Sequence, residues 1–497
     1  MTREGGVTLG ALARAVGGEL EGGDGARVLD VTHDSRQVAG GWLFVAIRGE
    51  KSDGNRFVRE VEQRGAVGVV SESERPSDFR GGWIRVPEAR RALALAAAEV
   101  HGHPSRELKL VGITGTNGKT TTAYLVASVA ESAGVTTALI STVEYRVAGE
   151  RQAALHTTPE ASDVQRLLRR AADAGCRVAV MESSSQALDL RRCDALSYAV
   201  AAFTNLTRDH LDYHLTMENY FDAKLRLFDG RLGERPRASV VNLDDEHGAR
   251  LASTLRAEGR AAVTFGLGAG ADVSARELSF SLTGARFRLV TPAGECEVES
   301  PLVGRPYVSN MLCAAACGHA LGLELEAAAR ALKTCAGAPG RFERVAGAEE
   351  FAVVVDYAHT DDALANVLRT AREVTGGRVI TVFGCGGDRD RTKRAPMGEA
   401  AASLSDVVIA TSDNPRTEDP LKILADVEVG LRAVGRPYRV IPDRREAIHA
   451  AVAEARPGDL VLIAGKGHED YQIVGHERLH FDDREVAREA IRDREAR

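Results

Sequence analysis

The run best suited to chemistry is Thr114-Gly115-Thr116-Asn117-Gly118-Lys119-Thr120-Thr121. Glycines let backbone N–H groups close on phosphate oxygens, and a helix opening at the lysine adds positive partial charge. In such a turn Lys119 would neutralise β- and γ-phosphate charge and the Thr120 hydroxyl would ligate Mg²⁺. The common phosphate loop has glycine where this chain has Ile113, so the match is incomplete. The plainer reading is a glycine-rich turn with a solvent lysine. A second cluster, Met181-Glu182-Ser183-Ser184-Ser185, puts a carboxylate where it can face that loop and hold a metal, or else caps a strand end. A third, Thr204-Asn205-Leu206-Thr207-Arg208-Asp209-His210-Leu211-Asp212-Tyr213-His214, has two histidines four apart, a spacing zinc sites use. Asp209 and Asp212 are hard oxygen donors better matched to Mg²⁺, and a hydrogen-bonded structural turn is the other reading. Lys224 follows on an amphipathic stretch, and its spacing alone reads as a surface lysine.

A fourth set lies further on, at three strand ends: Gly384-Cys385-Gly386-Gly387-Asp388-Arg389-Asp390-Arg391, Ser412-Asp413-Asn414-Pro415-Arg416 and Gly465-Lys466-Gly467-His468-Glu469-Asp470. Guanidinium groups such as Arg389 and Arg416 grip carboxylates in pairs of hydrogen bonds, and Glu469 grips an ammonium. A pocket of mixed sign fits a zwitterionic amino acid better than a nucleic acid. Salt bridges between domains are the bland alternative.

These groups need a frame. Short apolar runs at 42–47, 66–70 and 83–86, then a helical stretch at 90–100, form a first block that His101-Gly102-His103-Pro104-Ser105 closes. A second block opens with the strand-like run 108–114 and continues with 178–181 and 199–203. Strands alternating with helices predict a parallel sheet whose site sits at the strands' C-terminal ends. Between about 263 and 298 the pattern turns alternating, as in an antiparallel insertion. Ala336-Gly337-Ala338-Pro339-Gly340 marks the next boundary, and the runs 351–356, 378–383, 407–410 and 460–464 predict another doubly wound unit. The stretch 482–497 reads as a charged helix with a solvated face.

Composition narrows the class. At 497 residues the chain is too long for one ordinary domain, and 44% hydrophobic with 27% charged residues is a globular balance. Lys+Arg number 64 against 71 Asp+Glu, so no basic excess favours nucleic acid. Apolar runs fall short of a bilayer span, and Met1-Thr2-Arg3-Glu4-Gly5-Gly6 lacks the apolar core of a signal peptide. Seven cysteines without a Cys-x-x-Cys pair are expected to be free thiols in a reducing cytoplasm.

Together the motifs resemble the Mur ligases, ATP-dependent amide-bond-forming enzymes of bacterial cell-wall synthesis. The resemblance runs the length of the chain, through Asp34-Ser35-Arg36, the 114–121 loop, His156-Thr157-Thr158-Pro159, Glu182-Ser183-Ser184-Ser185, residues 209–214, Lys224, Gly340-Arg341-Phe342-Glu343, Asp356-Tyr357-Ala358-His359-Thr360, and the three later strand ends. It implies an α/β fold in three domains: 1–105 for the UDP substrate, 106–338 a central P-loop doubly wound ATP-binding sheet with the antiparallel insertion, and 339–497 Rossmann-like for the amino acid. It implies ATP contacts at Gly115, Thr116, Asn117, Gly118, Lys119, Thr120, Thr121, Asn310, Arg341 and Asp356. Ser35, Thr157, Thr158, Ser184 and Arg192 would hold a UDP-N-acetylmuramoyl-dipeptide. Glu182, His210 and Lys224, the last as a carbamate, would join Thr120 on Mg²⁺; Lys119, Lys224 and His210 would be catalytic, with His210 a candidate base.

The family's selectivity motif reads Asp413-Asn414-Pro415-Arg416. An arginine in its last place is similar to members that take meso-diaminopimelate, whose second carboxylate needs a cation. Arg389, Asp413, Asn414, Pro415, Arg416, Gly465 and Glu469 would line that pocket. A lysine-adding member, a folylpolyglutamate-synthase-like ligase and a nucleotide-gated binding protein are the rivals. The expected state is a cytoplasmic monomer without nucleic-acid or membrane partners. His156 stands where the family has Asn, Leu190 where close relatives have Gln, and Asp361 where they have Pro; Ser183 and Gln186 also depart from the usual run.

Overall fold

The computed structural model describes residues 6–49, 52–348 and 350–496. The signal-peptide expectation therefore rests mostly on residues outside the described ones. The chain divides into two compact units. One runs through Ser274 and includes 291–294 and 313–331; the other holds 275–290, 295–312 and 332–497.

The first unit begins with a five-stranded sheet in the order Glu19–Glu21, Gly82–Arg85, Gly68–Ser71, Trp42–Ala46, Asp30–Thr32. All pairs but the first are parallel. Its strands are covered on both faces: Leu43, Val45, Val70 and Ile84 pack with the helices Leu9–Val16 and Ala89–His101, while Phe44, Val69 and Trp83 face the other way. That explains the unbroken apolar runs. The second helix stops where Gly102 takes φ 70°, a left-handed cap that glycine adopts without strain. Asp30, at the sheet's edge, accepts from Arg166 on the helix Ala161–Asp173 at 2.8 Å and lies 3.1 Å from His101.

The same unit holds six parallel strands in the order Thr137–Ile140, Val178–Glu182, Lys109–Thr114, Val200–Phe203, Ala238–Asn242, Ala262–Gly266. An antiparallel hairpin, Glu144–Val147 with Glu150–Ala153, extends the first edge. The antiparallel insertion begins later than its alternating sequence suggests. Residues 262–266 form a parallel strand, and the alternating part is Val273–Ser281, Gly284–Thr291 and Gly294–Ser300, neighbours joined by two-residue links that only antiparallel strands allow.

The second unit carries a six-stranded sheet in the order Glu343–Arg344, Ala352–Asp356, Leu460–Ala464, Val379–Phe383, Val407–Ala410, Arg439–Val440, parallel after the first pair. The four central strands are buried nearly throughout, with a core on each face. The final helix, Asp483–Glu495, is not merely a solvated face. Val486, Ala487, Ala490 and Ile491 recur at helical spacing and pack into one of those cores, while the charges cover the rest.

Candidate active site

The phosphate-type turn lies between the strand Lys109–Thr114 and the helix Lys119–Ser132. Gly115 sits at φ 149°, and a Cβ there would lie 1.9 Å from Thr204 Oγ1, so only glycine fits. Gly118, at φ 84°, caps the helix. The neighbouring strand end fixes the turn: Asn117 N–H donates to Asn205 Oδ1 at 2.9 Å, and Thr204 Oγ1 donates to the Asn117 carbonyl at 2.7 Å. Lys119 Nζ folds onto the Gly115 and Thr116 carbonyls at 3.0 and 2.9 Å. Thr120 donates to Glu182 Oε2 at 3.0 Å, bridging loop and adjacent strand; Thr121 is buried beside it.

Glu182 is fully buried and also accepts from the Thr142 amide at 2.7 Å. Thr142 Oγ1 in turn donates to Thr157 Oγ1 at 3.1 Å. Thr158 donates to the Glu182 carbonyl at 2.7 Å and accepts from Ser184 N–H at 3.1 Å, while Arg192 reaches the Thr158 carbonyl at 3.0 Å and Glu160 at 2.7 Å. Four of the five residues expected at the UDP-dipeptide thus share one hydrogen-bonded wall with Glu182. The fifth, Ser35, lies on the short turn Ser35–Gln37 beside the five-stranded sheet.

Lys224, expected at the surface from spacing alone, is buried on the helix Met217–Asp229. Its ammonium donates to Gly115 O at 2.7 Å and lies 4.3 Å from the centre of the Tyr220 ring. Burial first, and the charge of Lys119 second, push its amine well below the ordinary lysine range. His210 takes φ 53° ahead of the short helix Leu211–His214, half-exposed, 3.5 Å from Asp209. Partial burial lowers its imidazole, with Asp209 opposing. His214 points elsewhere: it is buried, 3.0 Å from Ser185 Oγ and stacked on Tyr220.

In the second unit, Asp356 ends the strand Ala352–Asp356 and accepts from the Phe342 and Ala358 amides at 2.7 and 2.8 Å. Burial raises its carboxyl and Arg341 opposes. Arg341 lies over the Tyr357 ring at 4.6 Å, and Asn310 is buried on the helix Arg305–Ala320. The strand ends at 384–391 and 413–418 are clamped to each other. Gly387 N–H donates to Asn414 O at 2.9 Å, Arg416 Nη1 donates to Gly387 O at 2.7 Å, and a Cβ on Gly387 would lie 1.9 Å from Pro415 O. Behind them the fully buried Arg394 holds Glu418 at 2.8 Å and Asp426 at 2.9 Å. The third strand end joins through Asn414 Nδ2, 2.9 Å from Glu469 Oε2, and through Gly465, which packs on Asp413. Arg389 stands exposed at the rim.

Three family models tile the chain: the Mur ligase family catalytic domain over 28–103, the Mur ligase middle domain over 113–318, and the Mur ligase glutamate ligase domain over 340–467. A Solibacter usitatus protein named UDP-N-acetylmuramoyl-L-alanyl-D-glutamate--2,6-diaminopimelate ligase is 50% identical over 94% of each chain. The chain belongs to the Mur ligase family. A solved structure of a ligase of that same name superposes over 100% of both chains with TM-score 0.71 and 34% identity. The MurF ligase of Thermotoga maritima in complex with ADP, at 16% identity over 94% of this chain and 96% of that one, shares the fold with TM-score 0.61.

In this Mur ligase the donors suit a hard divalent cation at Thr120 and Glu182. The Glu182 carboxylate is fully buried yet makes no ion pair among the described residues, and its neighbours are hydroxyls and amides. The zinc spacing of His210 and His214 does not form a site among the described residues, because His214 is taken by Ser185 and no third His, Cys, Asp or Glu completes a ligand set. Sequence reading gave no role to Thr142, Tyr220, Arg394 and Lys466. Tyr220 carried a signal, lying one helical turn before Lys224, and its hydroxyl is 3.1 Å from Thr116 Oγ1.

Proposed function

We propose that this Mur ligase uses ATP to join meso-diaminopimelate to the D-glutamyl carboxylate of UDP-N-acetylmuramoyl-L-alanyl-D-glutamate, in the cytoplasm and as a monomer, during peptidoglycan precursor synthesis. The observation that carries the reading is Arg416, held against Gly387 in a strand-end pocket that also contains Glu469, because a distal carboxylate needs a cation there and a retained ammonium needs an anion. In the first step the carboxylate attacks the γ-phosphorus, the bond to ADP breaks, and an acyl phosphate forms. Lys119 follows the charge on the transferred group, and the backbone N–H groups of 115–118 cradle the nucleotide phosphates. Thr120, Glu182 and a carbamylated Lys224 would hold Mg²⁺, which when bound would offset phosphate charge.

In the second step the amine of diaminopimelate, having lost a proton, adds to the acyl carbon, and the tetrahedral adduct collapses to the amide and inorganic phosphate. His210 is the candidate acceptor of that proton, since its lowered imidazole is neutral near pH 7. Arg341, Asp356 and Asn310 serve the nucleotide, and Ser35, Thr157, Thr158, Ser184 and Arg192 the UDP-dipeptide. Phosphate release with ATP and UDP-dipeptide, measured across a panel of amines, tests the whole scheme. Release should depend on diaminopimelate; lysine working better would overturn the selectivity, and release indifferent to any amine would overturn the ligase.

A further inference from the structure

Lys466 lies between two glycines and has no exposed surface at all. Its ammonium sits 3.3 Å from Asn414 Oδ1 and 3.3 Å from Glu469 Oε2, and 5.4 Å from the centre of the Tyr471 ring. A cation is rarely placed in such a position without a task, because removing it from water is costly unless its partners are held in place. Those partners are the pocket itself. Asn414 donates through Nδ2 to the same Glu469 oxygen at 2.9 Å and accepts the Ile473 amide at 2.9 Å, so the lysine closes a triangle with the amide and the carboxylate.

We infer that Lys466 is a positioning residue for the incoming amino acid: its buried ammonium fixes the Glu469 carboxylate, charged and oriented, to receive the substrate ammonium that does not react. The inference rests on the functional reading above and deepens it. Glu469 is faced by Lys466, Asp413, Arg444 and the phenols of Tyr357 and Tyr471. Burial pushes its carboxyl up, Asp413 adds to that, and Lys466 opposes both. A protonated Glu469 offers no anion to an ammonium, so the lysine keeps the receiving form in place.

The test uses full-length enzyme with ATP and UDP-dipeptide. Lys466→Met should raise the KM for diaminopimelate by about tenfold or more, leave the KM for ATP unchanged, and move the acid limb of kcat/KM for diaminopimelate up by about one pH unit. 2-Aminopimelate, which lacks the second amine, should lose little. Should Lys466→Met fail to fold, the pair Glu469→Gln and Lys466→Met/Glu469→Gln carries the same question, because the double variant leaves neither charge unpaired. Equal KM values for diaminopimelate in those two are expected; a further tenfold loss in the double variant would show that Lys466 acts otherwise. An unmoved acid limb, or equal losses for every substrate, also overturns the inference. Absent wild-type turnover with diaminopimelate sinks the functional reading and this inference with it, whereas wild-type turnover with an unchanged Lys466→Met KM sinks the inference alone.

Discussion

Lys119 and Lys224 donate to one and the same oxygen, the Gly115 carbonyl, at 3.0 and 2.7 Å. Two ammonium groups on one acceptor repel, and Lys224 is also out of water. The amine of Lys224 is accordingly driven toward its neutral form, by burial chiefly and by Lys119 next. A neutral buried amine adds CO₂ and releases a proton, giving a carbamate anion. That product would attract Lys119 where the ammonium repels it, and it would supply an oxygen ligand.

Lys224→Met should therefore fold with little change in melting temperature, since it exchanges a desolvated amine for an apolar chain of similar volume. Activity should fall by about 10²-fold, the scale for losing a placed electrostatic group in an active site. Thermal melts and phosphate release check the two halves, and ¹³C NMR of wild-type enzyme in ¹³C-bicarbonate should show one carbamate signal that the variant lacks. A variant that turns over at the wild-type rate would sink the role.

Glu182 leads to a metal-dependence prediction. Its carboxylate accepts from Thr120 and Thr142 but makes no ion pair among the described residues. Glu182→Gln keeps size and hydrogen-bonding capacity and removes the charge. The Mg²⁺ concentration for half-maximal rate should rise about tenfold or more, with stability retained or increased because a buried charge is gone. An unchanged Mg²⁺ titration would place the metal elsewhere.

The strands and turns were legible because their signals are local. The run 108–114 is followed directly by Gly115, where a Cβ would meet Thr204, so the turn after the strand needs that glycine. Lys224 was not legible by spacing, since a helical period groups it with Tyr220, Leu227 and Phe228 but does not tell a lysine carried inward with that apolar face, onto a carbonyl, from one reaching out to solvent. Tyr220 and Lys224 share that inward face. The buried Arg394 and Arg444 escaped for another reason: their acidic partners Glu418 and Asp483 are 24 and 39 residues away, and no periodicity links them. The last helix misled through composition, because its charges outnumber the few apolar residues that dock it.

Arg416 offers a specificity test. One arm of its guanidinium is fixed on Gly387 O at 2.7 Å, and the loop pair behind it is braced by Arg394, so the group is preorganised. Arg416→Ala should raise the KM for diaminopimelate by about 10- to 100-fold, the range for a hydrogen bond to a charged group, while the KM for ATP stays within about twofold. Kinetics with diaminopimelate and lysine side by side give the answer. Equal losses for both amines would mean that Arg416 braces the loop without reading the distal carboxylate.

Asp194 links the site's scaffold to pH. It is buried, its Oδ1 has no hydrogen-bond partner among the described residues, and its other oxygen lies 3.3 Å from Arg191. Burial pushes its carboxyl up to about 6 from an ordinary 3.8, with Arg191 opposing. A raised folded-state value means that the folded protein prefers the protonated acid. The stabilising contribution is complete below pH 3.8 and is lost as pH rises through about 6, a difference worth about 3 kcal/mol. Asp194→Asn, which cannot ionise, should be more stable than wild type at pH 7, and that advantage should shrink as pH falls from 6 toward 4. Urea unfolding of both proteins across this window measures it; a variant less stable than wild type at pH 7 would show that the Arg191 contact outweighs the cost of burying the charge.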